Sequence, residues 1–279
     1  MTAPLLELRG VGRTYTGGGL LSRRRVQAVD SVSFAIAADK PEIFTIIGES
    51  GSGKTTLARM ILNIVPPSAG TISFRGNTLG NVLRRSQRLD FMRQVQPIFQ
   101  NPFEAFNPLK HVDRYLFMTA RRFASGEVEQ RADWALRQVG LSLAEVSRRF
   151  PHELSGGQLQ RIAIARALIS SPALIVADEP VSMVDASLRM SIVNLFASLR
   201  DSLGVSIVYI THDLATAYTI SDRIIIMRNG SVVESGDARA VLDHPQHPYS
   251  ILLKNAVLSP DAAGADDLLR TAPPLDETA

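Results

Sequence analysis

The chain lacks several features that would place it in other classes of protein. No cysteine occurs among its 279 residues, which excludes disulfides, thiolate metal sites and cysteine nucleophiles and fits a reducing cytosol. The net charge is only +3, too weak a bias to favour nucleic acid as a partner. The first residues do not read as a secretory signal peptide, and apolar runs such as residues 173–177 are far shorter than the roughly 20 residues that span a bilayer. We therefore expect any membrane role to come through a partner.

What the sequence contains is an alternation of strand-like and helical segments. With 45% hydrophobic and 20% charged residues, its composition is that of an ordinary globular protein. The runs at 173–177 and 205–210 are continuously apolar, as in central parallel strands whose two faces are both covered. Further strands are predicted at 5–9, 28–36, 43–47, 71–75 and 95–100, a hairpin at 224–234 turning at Asn229-Gly230, and helices at 53–63 and 158–169. This pattern indicates an α/β fold.

Residues 103–150 differ from the rest because they contain no convincing strand. Apolar residues recur there with helical spacing and give two amphipathic faces, formed by Leu116, Phe117, Ala120 and Phe123 and by Val128, Ala132, Ala135, Leu136 and Val139. We predict a helical subdomain inserted into the α/β core. Residues 260–279 are rich in Ala, Asp and Pro without any period, so we expect a loosely ordered tail.

The strongest motif spans residues 48–55 and fits the pattern G-x-x-x-x-G-K-[ST]. Its glycines permit turns that aim backbone N–H groups at phosphate oxygens, and the helix that begins there points its positive end at the same anion. Lys54 would reach the β- and γ-phosphates, and Thr55 would ligate Mg²⁺. A chance match in a chain this long has a probability on the order of 1%. The predicted nucleotide-binding residues are Gly48, Glu49, Ser50, Gly51, Ser52, Gly53, Lys54, Thr55 and Thr56.

Two carboxylates, Asp178 and Glu179, end the apolar run 174–177. A buried strand that ends in two carboxylates is costly unless a cation or a proton donor is near. For such a sequence in isolation, an acidic turn before Pro180 is the better interpretation. Beside a phosphate loop, we expect Asp178 to hold Mg²⁺ and Glu179 to polarise the attacking water.

A second glycine-rich helix start follows the helical stretch and consists of Leu154, Ser155, Gly156, Gly157 and Gln158. Serine is a good N-cap, and the two glycines leave backbone N–H groups open to an anion. A capped helix start without a ligand is the alternative. The match of five positions, followed by Gln-Arg and a small, apolar helix, favours phosphate binding.

Three single residues are candidates that each have an ordinary structural alternative. Gln100 follows a strand, where it would touch Mg²⁺ or the attacking water, unless it is a polar loop residue. His212 would contact the γ-phosphate, although a lone histidine is usually structural or solvated, and no metal cluster is evident among the five histidines. Tyr15 would stack on adenine through its flat ring, or it is a half-buried aromatic.

In this order the motifs resemble those of the ABC ATPase family. Tyr15 resembles its A-loop, residues 48–55 its Walker A motif, Gln100 its Q-loop and residues 154–158 its signature. The remaining correspondences are Walker B and the catalytic glutamate at Asp178 and Glu179, the D-loop at Ser182 and Asp185, and the H-loop at His212. The resemblance covers residues 5–255 and leaves residues 256–279 as a tail.

The resemblance implies a P-loop NTPase fold: a RecA-like core, an antiparallel β-subdomain and a helical subdomain at about residues 103–165. It implies ATP and Mg²⁺ as cofactors, with Thr55, Gln100 and Asp178 at the metal and Glu179, His212 and Gln100 in catalysis. Two cassettes, identical or not, would meet head to tail, so that the signature of one faces the ATP of the other. Their partners would be transmembrane permease subunits and, indirectly, an extracellular solute-binding protein, at the cytoplasmic face of the membrane.

A finer resemblance concerns the branch of the family. Residues 100–108 and 244–250, the latter followed by Leu252-Leu253, resemble motifs of the oligopeptide/dipeptide/nickel importers. This implies uptake of oligopeptides or dipeptides, with an oligosaccharide importer or a soluble ABC ATPase as alternatives. The permease would dock near residues 102–108, where the aromatics Phe103 and Phe106 suit a groove.

Overall fold

Two β-sheets organise the fold. The computed structural model describes residues 3–17, 24–80, 84–124 and 126–258. Its strands are β1 (Leu6–Gly17), β2 (Arg24–Ile36), β3 (Ile43–Ile47), β4 (Ala69–Phe74), β5 (Asn77–Thr78), β6 (Val95–Ile98), β7 (Leu174–Asp178), β8 (Ser206–Thr211), β9 (Arg223–Arg228) and β10 (Ser231–Asp237). The smaller sheet has the order β2-β1-β4-β5 and is antiparallel, and the larger has the order β10-β9-β3-β8-β7-β6.

Helices surround these sheets. They are α1 (Lys54–Ile61), α2 (Arg85–Gln94), α3 (Val112–Phe123), α4 (Val128–Gln138), α5 (Leu143–Val146), α6 (Gly156–Leu168), α7 (Ala186–Leu203), α8 (Leu214–Ile220), α9 (Ala238–Asp243) and α10 (Pro248–Leu258). Short 3-10 turns occupy Pro102–Ala105 and Pro151–Glu153. Among the described residues, none of the helices is both long and apolar enough to cross a bilayer.

The larger sheet explains the continuous apolar runs of the sequence. Every residue of β3 and β8 is buried, as are the first four of β7, and the three strands pair in parallel. Because both faces are covered, no polar alternation is needed. The edge strand β6 carries Pro97, which an edge position tolerates. The predicted hairpin is confirmed as β9 and β10, with positive φ at Asn229 and Gly230, 50° and 88°.

The parallel order of β3, β6, β7 and β8 has one consequence for function. All four strands run in the same direction, so their carboxyl ends lie at one edge of the sheet. Gly48, Glu179 and His212 directly follow three of these strands, and Gln100 comes two residues after the end of β6. The open edge of an α/β sheet at the carboxyl ends of its strands is where ligands bind.

The region between β6 and β7 is helical, as predicted. Buried residues of α3, α4 and α6, such as Leu116, Leu136 and Ile162, share one hydrophobic core. Phe106 is part of that core: it is 3% exposed and its ring meets Tyr115 edge-on at 5.2 Å. The prediction that Phe106 faces a docking groove is therefore wrong, whereas Phe103 is 47% exposed.

Two helices, α2 and α10, differ from the sequence prediction. Helix α2 was not predicted because its residues are mostly polar and only Phe91 is buried. Helix α10 extends to Leu258, past the start of the predicted tail at residue 256. The rest of that tail, residues 259–279, lies outside the described residues.

Candidate nucleotide site

The loop between β3 and α1 is shaped by glycines that have no room for a side chain. Gly53 is the N-cap of α1 with φ +100°, and a Cβ there would lie 2.2 Å from the carbonyl oxygen of Ala28. A Cβ on Gly48 would lie 2.4 Å from the carbonyl oxygen of Met227. Any other residue at these positions would push the loop away from the backbone of β2 and β9. Glycine thus lets residues 48–53 curl tightly around the start of the helix.

Lys54 is almost completely enclosed by this loop. The residue is 5% exposed, and its ammonium donates to the carbonyl oxygens of Gly48 at 2.7 Å and Glu49 at 2.8 Å. Burial lowers the pKa of Lys54, while the carboxylates Glu179, Asp178 and Glu49 oppose that shift. The hydrogen-bond acceptors described for this buried ammonium are neutral carbonyls, so an incoming anion would compensate its charge further.

Asp178 ends β7 opposite the first turn of α1. Its Oδ1 accepts a hydrogen bond from the hydroxyl of Thr55 at 3.4 Å. Burial raises the pKa of Asp178, with the nearby charge of Glu179 adding to the rise and Lys54 opposing it. A half-buried carboxylate and a hydroxyl facing each other supply the hard oxygen donors that Mg²⁺ prefers.

Glu179 lies at the centre of a polar cluster. Its Oε1 is 3.2 Å from Nδ1 of His212, and its Oε2 accepts from Nε2 of Gln100 at 3.4 Å. The hydrogen bond from His212 lowers the pKa of Glu179, and the same contact raises the pKa of His212. Glu179 therefore remains a carboxylate, held by residues that follow β6 and β8.

The backbone of Glu179 is unusual. Its φ is +47°, in the left-handed region that non-glycine residues seldom adopt, and its N–H donates to the carbonyl oxygen of Ile210 at 2.9 Å. Such a conformation costs about 1–3 kcal/mol and occurs most often at functional sites. Glu179 is the one such residue among Gln100, Asp178, Glu179 and His212.

The predicted signature begins helix α6. Ser155 is its N-cap: the serine Oγ accepts from the N–H of Gln158 at 3.2 Å, and Oε1 of Gln158 accepts from the N–H of Ser155 at 3.0 Å. This reciprocal pair is a capping box. Apart from the bonds within α6 itself, the hydrogen bonds described for residues 154–158 join partners at residues 151–159 and none in the phosphate loop.

A family model described as "ABC transporter" matches residues 29–182, more than half of the chain. The chain belongs to the ABC transporter family. A putative peptide import ATP-binding protein of Brucella ovis is 40% identical over 261 residues, covering 92% of this chain and 80% of the relative. The glutathione import ATP-binding protein GsiA of Salmonella typhimurium is also 40% identical, over 91% of this chain, which spans 41% of GsiA.

Solved ABC cassettes share the fold. A dimeric post-hydrolysis state of the ATP-binding cassette MJ0796 bound to ADP and Pi has a TM-score of 0.73 at 26% identity, covering 84% of this chain and 99% of that one. The cbiO1 protein of Clostridium perfringens, part of the cbiONQ transporter complex, has a TM-score of 0.75 at 24% identity, over 91% and 95% of the two chains. This chain is thus an ABC-type ATPase with a P-loop NTPase fold.

The structure of this ABC ATPase brings together most of the residues that the sequence singled out. Gln100, Asp178, Glu179 and His212 meet the phosphate loop at one sheet edge. In the predicted D-loop, Ser182 donates its hydroxyl to the carbonyl oxygen of Glu179 at 3.0 Å, and Asp185 precedes α7.

Two tyrosines, Tyr15 and Tyr249, lie next to the strands and loop that form the site. Tyr15 is 37% exposed beneath the guanidinium of Arg13 and pairs with Val26, two residues before Ala28 on the strand that contacts Gly53. Tyr249, to which the sequence assigned no part in the site, accepts a hydrogen bond from the N–H of Glu49 at 3.2 Å. No local signal reveals this contact because 200 residues separate the two partners.

Proposed function

We propose that this ABC ATPase hydrolyses ATP at the edge formed by β3, β6, β7 and β8 and that hydrolysis powers the import of oligopeptides or dipeptides. The observation that carries the catalytic part is the carboxylate of Glu179, held between Gln100 and His212 beside the phosphate loop. The import part rests on relatives named for peptide and glutathione import.

The phosphate loop supplies the binding site for the triphosphate. Backbone N–H groups of residues 51–55 and the N-terminus of α1 attract phosphate oxygens. Lys54 exchanges its two carbonyl partners for the β- and γ-phosphates, which compensate its buried charge far better than neutral carbonyls. Tyr15, exposed on β1 where that strand pairs with β2, stacks on the adenine.

Thr55 and Asp178 fit Mg²⁺. The hydroxyl and the carboxylate already face each other at 3.4 Å, and burial together with the nearby charge of Glu179 raises the pKa of Asp178, so a cation there would favour its ionised form. Magnesium is usually held by one or two protein oxygens together with the phosphates of its substrate. When bound, the ion neutralises charge on the β- and γ-phosphates. Gln100, bonded to Glu179, is near enough to this edge to contact the ion or the water.

Glu179 acts as the general base. It accepts a proton from a water molecule as the water oxygen attacks the γ-phosphorus in line with the bond to the β-phosphate oxygen. That bond breaks, and ADP and phosphate form. Its lowered pKa keeps Glu179 ionised and able to orient the water. His212, on the opposite side of the carboxylate, contacts the γ-phosphate and links its loss to α8.

The signature completes the site of a second cassette. Gly156, at the first turn of α6, has space around it for an anion that the chain's own phosphate loop does not bring there, whereas Gly157 is buried against Leu188. Two copies, or this chain and a different cassette, bind ATP between the phosphate loop of one and the signature of the other. Hydrolysis then opens the dimer and moves permease subunits docked near Phe103, which places the ATPase at the cytoplasmic face of the membrane.

Uptake assays test this function. In cells whose own copy is deleted, the intact chain restores accumulation of a labelled tripeptide and Glu179→Gln does not. Restored accumulation of a labelled β-glucoside instead of the tripeptide would replace peptides by oligosaccharides as the cargo. Copurification with polytopic membrane subunits distinguishes the importer from a soluble ABC ATPase.

A further inference from the structure

A tyrosine from the C-terminal part of the chain reaches into the phosphate loop. The hydroxyl of Tyr249, at the start of α10, accepts the backbone N–H of Glu49 at 3.2 Å. Tyr249 is 2% exposed, and burial raises its pKa, so the hydroxyl stays neutral. Its ring packs in a hydrophobic core with Ile47, the last residue of β3, and with Leu214 of α8. Tyr249 thus lies under the loop and beside the helix that follows His212.

The segment that carries Tyr249 is itself held in place. Glu234 of β10 accepts the backbone N–H groups of Gln246 at 2.8 Å and His247 at 3.2 Å. The imidazole Nδ1 of His247 accepts the N–H of Tyr249 at 3.1 Å. Residues 244–250, which we call the C-terminal brace, are therefore anchored on one side to the β9–β10 hairpin and on the other to the loop.

The same hairpin contacts the loop at a second point. The guanidinium of Arg228 lies 4.9 Å from the centre of the Tyr249 ring. The turn that follows it donates the N–H of Gly230 to the carbonyl oxygen of Ser52 at 3.1 Å. Hairpin and C-terminal brace together fix the loop at Glu49 and Ser52.

Hydrogen bonds hold both the carbonyl and the N–H of Glu49. The Glu49 carbonyl accepts from the ammonium of Lys54 at 2.8 Å and from the N–H of Ser52 at 3.2 Å, while its N–H is bound by Tyr249. When an incoming phosphate takes Lys54, the carbonyl loses that partner but the N–H does not. Tyr249 then maintains the first bend of the loop, from which the following N–H groups are aimed.

We propose that Tyr249 is a positioning residue for ATP binding and that the C-terminal brace pre-organises the phosphate loop; this rests on the proposed ATP site. Preorganisation raises affinity because less order has to be gained on binding. The tyrosine touches no phosphate, so its effect falls on the affinity for ATP and not on the chemical step.

Calorimetry of the full chain with Mg²⁺ and ATP tests the proposal. Tyr249→Phe, which removes one hydroxyl and keeps the ring, raises the Kd for ATP about fivefold, as expected for one lost hydrogen bond. It raises KM by a similar factor and leaves kcat at saturating ATP unchanged. The amide of Glu49, followed by NMR hydrogen exchange, exchanges faster in this variant.

Tyr218→Phe is the control for the loss of a tyrosine hydroxyl that does not contact the loop. Tyr218 also lies below an arginine, Arg239, at 5.1 Å, but its hydroxyl contacts Asp243 at 3.4 Å and not the loop. Its removal leaves the Kd unchanged. A Kd for Tyr249→Phe within twofold of the intact chain, or an equal rise in both variants, overturns the proposal. If the intact chain itself shows no heat with ATP, the proposed function fails and not this inference alone.

Glu234→Ala provides a second variant that does not touch the ring. It releases the N–H groups of Gln246 and His247 and so loosens the C-terminal brace from the hairpin side. Its Kd for ATP rises in the same direction as that of Tyr249→Phe. If Tyr249→Phe unfolds, the Kd of Glu234→Ala decides: a rise supports the proposal and an unchanged value overturns it.

Discussion

The phosphate loop and the signature are both glycine-rich helix starts, but the chain surrounds them differently. Gly48 and Gly53 lie against backbone carbonyls of β9 and β2, and Lys54 is buried with its ammonium on the carbonyls of Gly48 and Glu49. At the signature, the first atom that a Cβ on Gly156 would meet is the carbonyl oxygen of Met183 at 3.6 Å, an ordinary contact distance. The loop is thus enclosed at both of these glycines by its own fold, while the signature is enclosed at Gly157, which lies against Leu188, and has space at Gly156.

This difference shows where the reason for each glycine lies. At residue 53 the folded chain leaves no space for a side chain, which explains why glycine is there. Nothing in the described surroundings of Gly156 excludes a side chain, so its explanation has to come from what approaches from outside, such as the anion and surface of a second cassette. An interface between two copies repeats the same surface on both subunits. Each copy then contributes its own phosphate loop to one site and its own signature to the other.

Glu179→Gln should have the largest effect, because it stops chemistry without changing either helix start. We expect turnover to fall by about 10²–10⁴-fold, the usual range for a general base, while ATP binding persists. ATP should then hold two cassettes together through the loop and the signature, which size-exclusion chromatography detects as a nucleotide-dependent dimer. Unchanged turnover would contradict the assignment of the base.

Lys54→Ala should weaken ATP binding at the phosphate loop and leave the signature unchanged. Loss of a charge-assisted contact with phosphate is worth about 1.5–3 kcal/mol, so the Kd for ATP should rise by about 10–10²-fold in calorimetry. The helix start at Ser155 is untouched by this change. Full-strength ATP binding by the variant would mean that the cradle of amides and not the ammonium carries the affinity.

Two alanine substitutions test the comparison directly. Gly53→Ala puts a side chain at φ +100° and 2.2 Å from a carbonyl oxygen, so it should lower the melting temperature and abolish ATP binding. Gly156→Ala lies in the first turn of α6 with space around it, so stability should hold or rise by about 0.4–1 kcal/mol. Its turnover should nevertheless fall.

The outcome for Gly156→Ala discriminates between two roles of the signature. A stable variant with reduced turnover and intact ATP binding by the single chain indicates a glycine that serves a partner. A variant that hydrolyses ATP normally would reduce residues 154–158 to a capped helix start. Thermal melts of both alanine variants, recorded with and without ATP, provide the necessary stability control.

The sequence predicted the strands of the larger sheet well because both of their faces are buried, which leaves continuous apolar runs at β7 and β8. It also predicted which residues meet at the sheet edge, since parallel strands bring Gln100, Glu179 and His212 to one end. Helix α2 escaped because a single buried residue, Phe91, gives no period to detect.

Contacts between distant segments could not be predicted. The sequence shows Phe106 as one more aromatic in a loop, and only the packing against Tyr115 reveals that it belongs to the core. The hydrogen bond between Tyr249 and Glu49 joins two residues whose neighbourhood is created by the fold, through the β9–β10 hairpin. A residue pattern reports periodicity along the chain and not which buried hydroxyl faces which amide.

The smallest expected effect is a shift in the pKa of His212, on the phosphate-loop side of the comparison. The signature, residues 154–158, contains no group that titrates near neutral pH. Glu179 raises the pKa of His212 above its ordinary 6.5, and Lys54 opposes that rise. In NMR titrations of the imidazole, Glu179→Gln should therefore bring the pKa of His212 down, and Lys54→Ala should move it further up.

The sign of the pH dependence follows from both partners of the ion pair. The raised pKa of His212 contributes stability that is complete below about pH 6.5 and is lost as pH rises through the folded value. The lowered pKa of Glu179 contributes stability that is present above its ordinary 4.5 and is lost as pH falls through the folded value. Thermal melts should thus show the largest difference between the intact chain and His212→Ala between these limits, while Gly156→Ala keeps the same pH profile as the intact chain. A difference that persists at pH 9 would show that His212 stabilises the fold by packing and not through its charge.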